Sequence, residues 1–427
     1  MAADVLQGVD LRWLAEHVGT PFYLYDAQTL HSRIAAIRTL TAAPGLQARY
    51  AMKACSVRRV LEVMQAQHIW IDAVSGNEVL RAQAAGYTLG HGVPEVLLTT
   101  DVFRDNALDV VCHYGVLPNL GSPGMVQQLA TAGYCGPIGL RLNPGFGHGH
   151  VQSCDTGGPS SKHGIWFEHA LMVAQEAARY GMPIVLLHAH VGSGPTPEEF
   201  MANMQQLVDF FAEHLQAYPD VQAVNLGGGL PHAYRPDAAE VNLDLYGHLL
   251  RDTQTRFSAQ VGRSIRVEVE PGRYFVAPAA FVVTRVTDVK YTRTNAKGPG
   301  HTFVMVDAGF CDLVRPAMYG AFHQLSVWQP VADAVNEPLV LAGPLCESGD
   351  MFTRDGAEFL QPRPLPPVRT GDLVLIHDAG AYGNTMSSNY NSLGRAPQVW
   401  WEHGTPYLIS RRETFEDIVR TECFTAL

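Results

Sequence analysis

The sequence contains no CxxC pair. Its seven cysteines are an odd number, scattered singly along 427 residues. That argues against a disulfide framework and against a zinc site of the usual spacing, and it favours a reducing compartment. It also lacks a block of lysine and arginine. With 30 basic and 41 acidic residues, a formal charge of -11 and an isoelectric point near 5.9, it offers no electrostatic footprint for nucleic acid or an anionic membrane surface. Small molecules are the expected partners. No apolar run approaches the length that spans a bilayer, and the opening MAADVLQGVD carries acids where a secretory signal has an apolar core. A cytoplasmic location is therefore expected. Low-complexity tracts are missing as well. What remains is an ordinary globular composition, 47% hydrophobic, long enough for one large core and a second domain.

From Gln47 to Glu270 short β-rich runs alternate with longer stretches of helical period, as in successive βα units around a parallel sheet. The predicted strands are LQARYAM, IWIDAV, EVLLT, GVLPNL, PIGLRLN, IVLLHAH, VQAVNLG and IRVEVE. Segments such as SVRRVLEVMQAQ and EEFMANMQQLVDFFAEHLQ separate them, with apolar residues recurring at three and four. Eight strands is the (β/α)8 barrel count, and a doubly wound sheet is the alternative that periodicity leaves open. Lys53, Asp72, Asn119, Arg141, His188 with His190, Asn225, and Glu268 with Glu270 all fall at or near the C-terminal ends of these runs. Barrel enzymes place their chemistry at that rim. After Arg273 the pattern changes to short strands without long helices between them: AAFVVTRVTDVKY, HTFVMVDAG, PLVLAGP, DLVLIHDAG and PQVWW. That predicts a β domain, with RTNAKGPGH and QPRPLPPVRTGD as exposed loops without catalytic content.

Taken singly, the candidate motifs are ambiguous. Lys53 in YAMKACS is a surface charge or a held nucleophile. Gly227, Gly228 and Gly229 follow a strand directly, so backbone N–H groups there could cradle a phosphate, or the run could be a tight turn; it is not the GxGxxG of dinucleotide sites. His188 and His190 have the same-face spacing of a strand and could be a metal pair, with His148, His150 or His163 completing the set. Alternatively only His190 faces a site and His188 is packed. VEVEPGRYF ends the last barrel strand with an acid and an arginine that read equally as an ion pair or a ligand site. Cys346 and Glu347 sit in GPLCESGD, Tyr382 in HDAGAYG, and Arg315 with Tyr319 in RPAMYG.

Their joint order decides. An AxKA lysine, HxGS, GGG, EPGR, CESGD and GAYG, spread over nearly the whole chain, resemble the fold III pyridoxal-phosphate decarboxylases with an alanine racemase-like barrel. RLNPGFGHGH, SKHGIW, DAGFCDLVRPAMYG, AGPLCESGD and MSSNYNS resemble the branch that acts on diaminopimelate. Cys311, where many relatives have asparagine, and the segment after Asn391 depart from the common pattern. The resemblance implies a (β/α)8 barrel over 27–275 that binds pyridoxal phosphate, and a C-terminal β-sandwich or barrel domain, 1–26 with 276–427, that contributes to the active site and dimer interface. It implies Lys53 as the covalent attachment point and Glu270 as partner of the pyridine nitrogen. His190 would stack on the ring. Ser193, Gly227, Gly228, Gly229, Gly272, Arg273 and Tyr382 would hold the phosphate or adjoining substrate, and Asp72 and Arg141 would line the cofactor's other edge. For the substrate, meso-2,6-diaminopimelate, it implies Arg273, Arg315 and Tyr319 around the distal carboxylate, Tyr382 as a further substrate contact, Glu347 on the distal ammonium, and Cys346 as the proton donor to Cα. No metal is implied. The product would be L-lysine, and the assembly a homodimer with shared sites.

Overall fold

The structure is a computed structural model, and the residues described are 8–90, 95–147, 156–194, 196–357 and 359–425. They form two compact units. One comprises Ser32–Ala233 and Ala239–Tyr274; the other comprises the described residues up to His31, the insert Tyr234–Ala238, and those from Phe275 onward.

The chain's first strand, β1 (Phe22–Asp26), belongs to the second unit. The next nine belong to the first: β2 (Leu46–Ala51), β3 (Trp70–Ala73), β4 (Val96–Thr100), β5 (Leu117–Leu120), β6 (Ile138–Asn143), β7 (Ile165–Trp166), β8 (Ile184–His188), β9 (Ala223–Asn225) and β10 (Arg266–Val269). Apart from the two-residue β7, which pairs in parallel with the end of β6, they run in the order β5-β4-β3-β2-β10-β9-β8-β6, and β5 pairs with β6 to close the ring. The pairings around this ring are parallel. Each of the eight predicted runs coincides with one of these strands to within a residue or two at its ends, and closure rules out the open doubly wound sheet. Helices follow the strands with apolar faces turned inward. Arg58–Ala66 buries Val60, Leu61, Val63 and Met64. Pro197–His214 starts where Thr196 and Glu199 form a reciprocal capping box and proline takes the first helical position.

Inside the barrel, Leu97, Leu117, Leu186 and Ala223 form an apolar plug. The next layer toward the strands' C-terminal ends is polar. Register places Arg141 opposite His188, His188 opposite Asn225, and Asn225 opposite Glu268. Directly paired residues of a parallel sheet share a face, so these four make one continuous row.

The second unit is built on β1 with β11 (Ala280–Tyr291), β12 (Thr302–Val306), β13 (Leu325–Val327), β14 (Glu337–Ala342), β15 (Arg363–Leu365), β16 (Leu373–Ile376), β17 (Gln398–Glu402) and β18 (Thr405–Ser410). The order is β15-β14-β12-β11-β1-β17-β18, with β16 joining β11 and β13. β1 lies antiparallel to β11 and parallel to β17. All five of its residues are buried. Phe22 and Leu24 join Leu11, Leu14, Phe281, Val283, Leu375 and Val399 in the core. QPRPLPPVRTGD is not all loop: Arg363–Leu365 pairs with β14, and Pro364 sits opposite Pro338. Two residues without N–H groups can face each other there because β15 is the edge of the sheet.

Candidate active site

Lys53 lies in a 3-10 turn, Met52–Ala54, at the end of β2. The turn is pinned from both sides. The Tyr50 hydroxyl donates to the Cys55 carbonyl at 2.8 Å, and the Cys55 N–H donates to Met52 at 3.1 Å. Gly272 packs against it: a Cβ there would lie 3.0 Å from the Ala51 carbonyl oxygen and 3.3 Å from the Ala54 Cβ. Lys53 itself is exposed at the rim. On the adjacent strand end, Glu270 is buried, with one carboxylate oxygen 3.1 Å from His188 Nε2 and the other accepting from Asn225 Nδ2 at 2.5 Å. Burial alone would raise its pKa, but His188, the bond it makes, Arg49 and Lys53 outweigh burial and hold the carboxyl below its ordinary range. Asp72, at the end of β3, goes the other way. Burial and then the Glu270 charge push it well up, against a hydrogen bond from Thr99, and its Oδ1 is buried without a partner.

Gly227, Gly228 and Gly229 follow β9. Gly227 has φ +70°, and a Cβ there would lie 2.5 Å from the Ala189 carbonyl oxygen; one on Gly228 would lie 2.5 Å from that of Glu270. The turn thus packs between the ends of β8 and β10, which side chains would prevent. Its N–H groups are partly used: Gly227 donates to Asn225 Oδ1 at 2.8 Å and Gly228 to His190 Nδ1 at 3.3 Å. His190 Nε2 lies 3.3 Å from Ser193 Oγ. Since Nδ1 accepts, the proton is on Nε2. Burial, then the Lys53 and Arg141 charges, push this imidazole well below its usual pKa, so it is neutral. His188 and His190 therefore do not converge as a metal pair. Among the described residues there is no group of three His, Cys, Asp or Glu side chains placed to hold a metal ion; His148 and His150 lie outside the described residues. Arg141 is buried at the end of β6. Arg273 opens the one-turn helix Arg273–Val276. His163, named from the sequence only as a candidate metal ligand, instead pairs with Asp101 at 2.7 Å, a partner that sequence reasoning missed; the Asp101 carboxylate also accepts from Gly164 N–H at 3.2 Å.

In the β unit, Cys346 and Glu347 are exposed on the loop after β14. Asp350 shapes that loop: its carboxylate accepts from Leu345 N–H at 2.8 Å and Phe310 N–H at 2.7 Å. Cys346 N–H donates to Asn391 Oδ1 at 2.9 Å, and Asn391 stands in the left-handed region at φ 55°. Arg315 is buried at the start of the helix Arg315–Tyr319. Its Nη1 lies 2.8 Å from His323 Nε2, His323 Nδ1 donates to the His377 carbonyl at 2.7 Å, and the guanidinium carbon sits 4.7 Å from the centre of the Tyr234 ring. Tyr319 ends that helix half-buried, and Tyr382 is held at φ 58°. The divergent Cys311 is a buried thiol 3.5 Å from Asp312 Oδ2, pushed up to about 12 by burial and the Asp312 charge. That gives it a packing role and keeps it protonated.

Residues 28–277 match the family described as "Pyridoxal-dependent decarboxylase, pyridoxal binding domain". The diaminopimelate decarboxylase of Streptomyces coelicolor is 39% identical over 413 residues, 96% of this chain and 90% of that one. The enzyme of the same name from Escherichia coli K12 is 37% identical over 422 residues, 98% and 97% of the two chains. Among solved structures, a diaminopimelate decarboxylase crystal structure superposes with a TM-score of 0.88 at 37% identity, covering 96% of this chain and 95% of that one. The Helicobacter pylori enzyme complexed with L-lysine gives 0.83 at 25% identity, covering 96% and 98%. A match across the whole barrel, together with relatives that agree in name and run nearly the full length, means that the chain belongs to the pyridoxal-dependent decarboxylases.

Proposed function

We propose that the chain decarboxylates meso-2,6-diaminopimelate to L-lysine and CO2, with pyridoxal phosphate joined to Lys53. The observation that carries the reading is the pairing of two adjacent strand ends: a rim lysine just past β2 and, just past β10, a buried carboxylate bound through one oxygen to His188 and through the other to Asn225. The residues present fit the cofactor. Glu270 offers a fixed negative charge for a protonated pyridine nitrogen, His190 offers a neutral imidazole face, and Gly227 to Gly229 bring backbone without side chains against the His190–Ser193 segment.

Bound pyridoxal phosphate supplies an electron sink for the pair left at Cα when the Cα–carboxylate bond breaks and CO2 departs. The chain's own groups do the rest. Lys53 holds the cofactor through its amine. Gly227 to Gly229, Ser193, Gly272, Arg273 and Tyr382 would hold its phosphate or the adjoining substrate, and Asp72 and Arg141 would border it. Arg315, Arg273 and Tyr319 clamp the distal carboxylate, where a guanidinium pairs in a bidentate fork. Glu347 takes the distal ammonium. Cys346 delivers the proton to Cα, and its thiolate is reprotonated from solvent. The assembly we propose is a homodimer in which Cys346 and Glu347 serve the neighbouring subunit's cofactor. Among the described residues no helix is long and apolar enough to cross a membrane, and the proposed location is the cytoplasm.

The test is direct. Purified protein reconstituted with pyridoxal phosphate releases CO2 and L-lysine from meso-diaminopimelate, and borohydride fixes the cofactor covalently on Lys53. Lys53→Ala loses that adduct and remains folded, since a rim residue adds little to the core. An adduct at another lysine in the wild type, or turnover of ornithine in preference to diaminopimelate, refutes the assignment.

A further inference from the structure

His188 was left without a role by its motif. It is 1% exposed, stands in the barrel's polar row, and its Nε2 points to a Glu270 carboxylate oxygen at 3.1 Å. An ionised carboxylate only accepts, so this bond requires the proton on Nε2. The other Glu270 oxygen belongs to Asn225, whose Nδ2 also lies 3.4 Å from Glu268 Oε2 and whose Oδ1 takes the Gly227 N–H. Glu268 is in turn held by Arg49 at 2.6 Å and Arg266 at 2.7 Å. The carboxylate at the end of β10 is thus fixed oxygen by oxygen, by His188 from β8, two strands away, and by an amide on the neighbouring β9 that is anchored to a buried ion pair.

We infer that His188 is a positioning residue for the cofactor: by donating from Nε2 it fixes the orientation and charge of Glu270, and through it keeps the pyridine nitrogen protonated. The inference rests on Glu270 being the partner of that nitrogen. The charged and titratable groups around Glu270 are Lys53 and Arg49 from β2 and its end, Asp72 from β3, Glu268 from β10 itself, and His188 from β8. Arg49 is committed to Glu268, and the Asp72 carboxyl is pushed up by burial and by Glu270. His188 is the group whose loss leaves a Glu270 oxygen without a donor, which costs more inside the barrel than in water.

The experiment compares His188→Gln, His188→Asn and His188→Leu in holoenzyme loaded with cofactor that is 15N-labelled at the ring. A glutamine amide nitrogen reaches about as far as Nε2; an asparagine's reaches only as far as Nδ1. Wild type and His188→Gln are expected to give the 15N shift of a protonated pyridine. His188→Asn and His188→Leu should move toward the unprotonated shift, with the cofactor dissociation constant rising about tenfold, the size of one lost charge-assisted bond. An unchanged shift in His188→Asn and His188→Leu overturns the inference, as does equal loss in all three variants, which would mean that His188 only fills space. Glu270→Gln separates the two layers. If it leaves the 15N shift unaltered, the role given to Glu270 fails; if it moves the shift while His188→Leu does not, the role given to His188 fails alone.

Discussion

Replacing Arg49 by methionine removes half of an ion pair that has no access to water. Both side chains of the Arg49–Glu268 pair are 0% exposed. The contact is a fork: Nε is 2.6 Å from Oε2 and Nη2 is 3.1 Å from Oε1, while Nη1 donates to the Ile71 carbonyl at 3.2 Å and the guanidinium carbon lies 4.8 Å from the centre of the Trp70 ring. Burial opposes the ionisation of Glu268, but Arg49, then Arg266, bring its pKa from 4.5 down to about 2. That displacement corresponds to ~3 kcal/mol of stability, in line with the ~3–5 kcal/mol typical of breaking a buried pair from one side. The folded-state value is depressed, so the contribution is fully present above the unfolded value of 4.5 and fades as the pH falls toward 2.

Urea unfolding followed by circular dichroism, compared through midpoints because the chain has two units, should therefore show Arg49→Met well below wild type at pH 7. The gap should narrow steadily below about pH 4.5. Adding Glu268→Leu to Arg49→Met should restore most of the loss, because the buried carboxylate that has lost its fork and is left to Arg266 is gone. A gap of the same width at pH 3 and pH 7, or a double variant no better than the single, would refute the electrostatic reasoning and leave packing of the guanidinium as the cause.

Arg315→Ala should raise KM for diaminopimelate about thirtyfold, or ~2 kcal/mol, and leave cofactor affinity unchanged; parallel loss of both in titrations would remove the distal-clamp role. Asn391→Ala frees the Cys346 N–H and should lower kcat about tenfold with unchanged cofactor binding, whereas Asn391→Asp, which keeps the acceptor, should stay within about threefold. Steady-state kinetics on the two variants distinguish loop positioning from a loss of folding. Refolding equal amounts of Lys53→Ala and Cys346→Ala chains together should return roughly a quarter of wild-type activity, since about half the dimers are mixed and each mixed dimer has one intact site. Activity no higher than the mean of the separate variants, with heterodimers demonstrated, would place Lys53 and Cys346 in a site of one chain.

The barrel was legible because its strands are short, β-rich and regularly separated, and because seven of the eight runs carry, at or near their C-terminal ends, a polar residue that an apolar core does not explain. The β unit was less so. β1 reads FYLYD, five buried residues without alternation, and its partners β11 and β17 lie more than 250 positions away. Nothing local announces such a pairing, whose register is set by the whole sheet. β15 was hidden by Pro364 and the prolines that flank it, which mark turns in most contexts; Pro364 is admitted at the sheet edge for the same missing N–H.

In the site, residue type carried further than residue contact. The same-face reading of His188 and His190 assumes that the strand continues through both, but β8 ends at His188. Past that point the period of two no longer applies, and His190 turns to Ser193 and Gly228 while His188 stays in the barrel row against Glu270. The row itself joins residues from β6, β8, β9 and β10, so it exists only once three registers are fixed. The same holds for Cys346. Its neighbours in CESGD mark a shaped loop, yet the group that holds its N–H is a left-handed asparagine 45 residues away. A sequence motif names the reacting atom; the atoms that aim it come from elsewhere in the chain, which is why the variants that test aim, His188→Gln and Asn391→Asp, are the more informative ones.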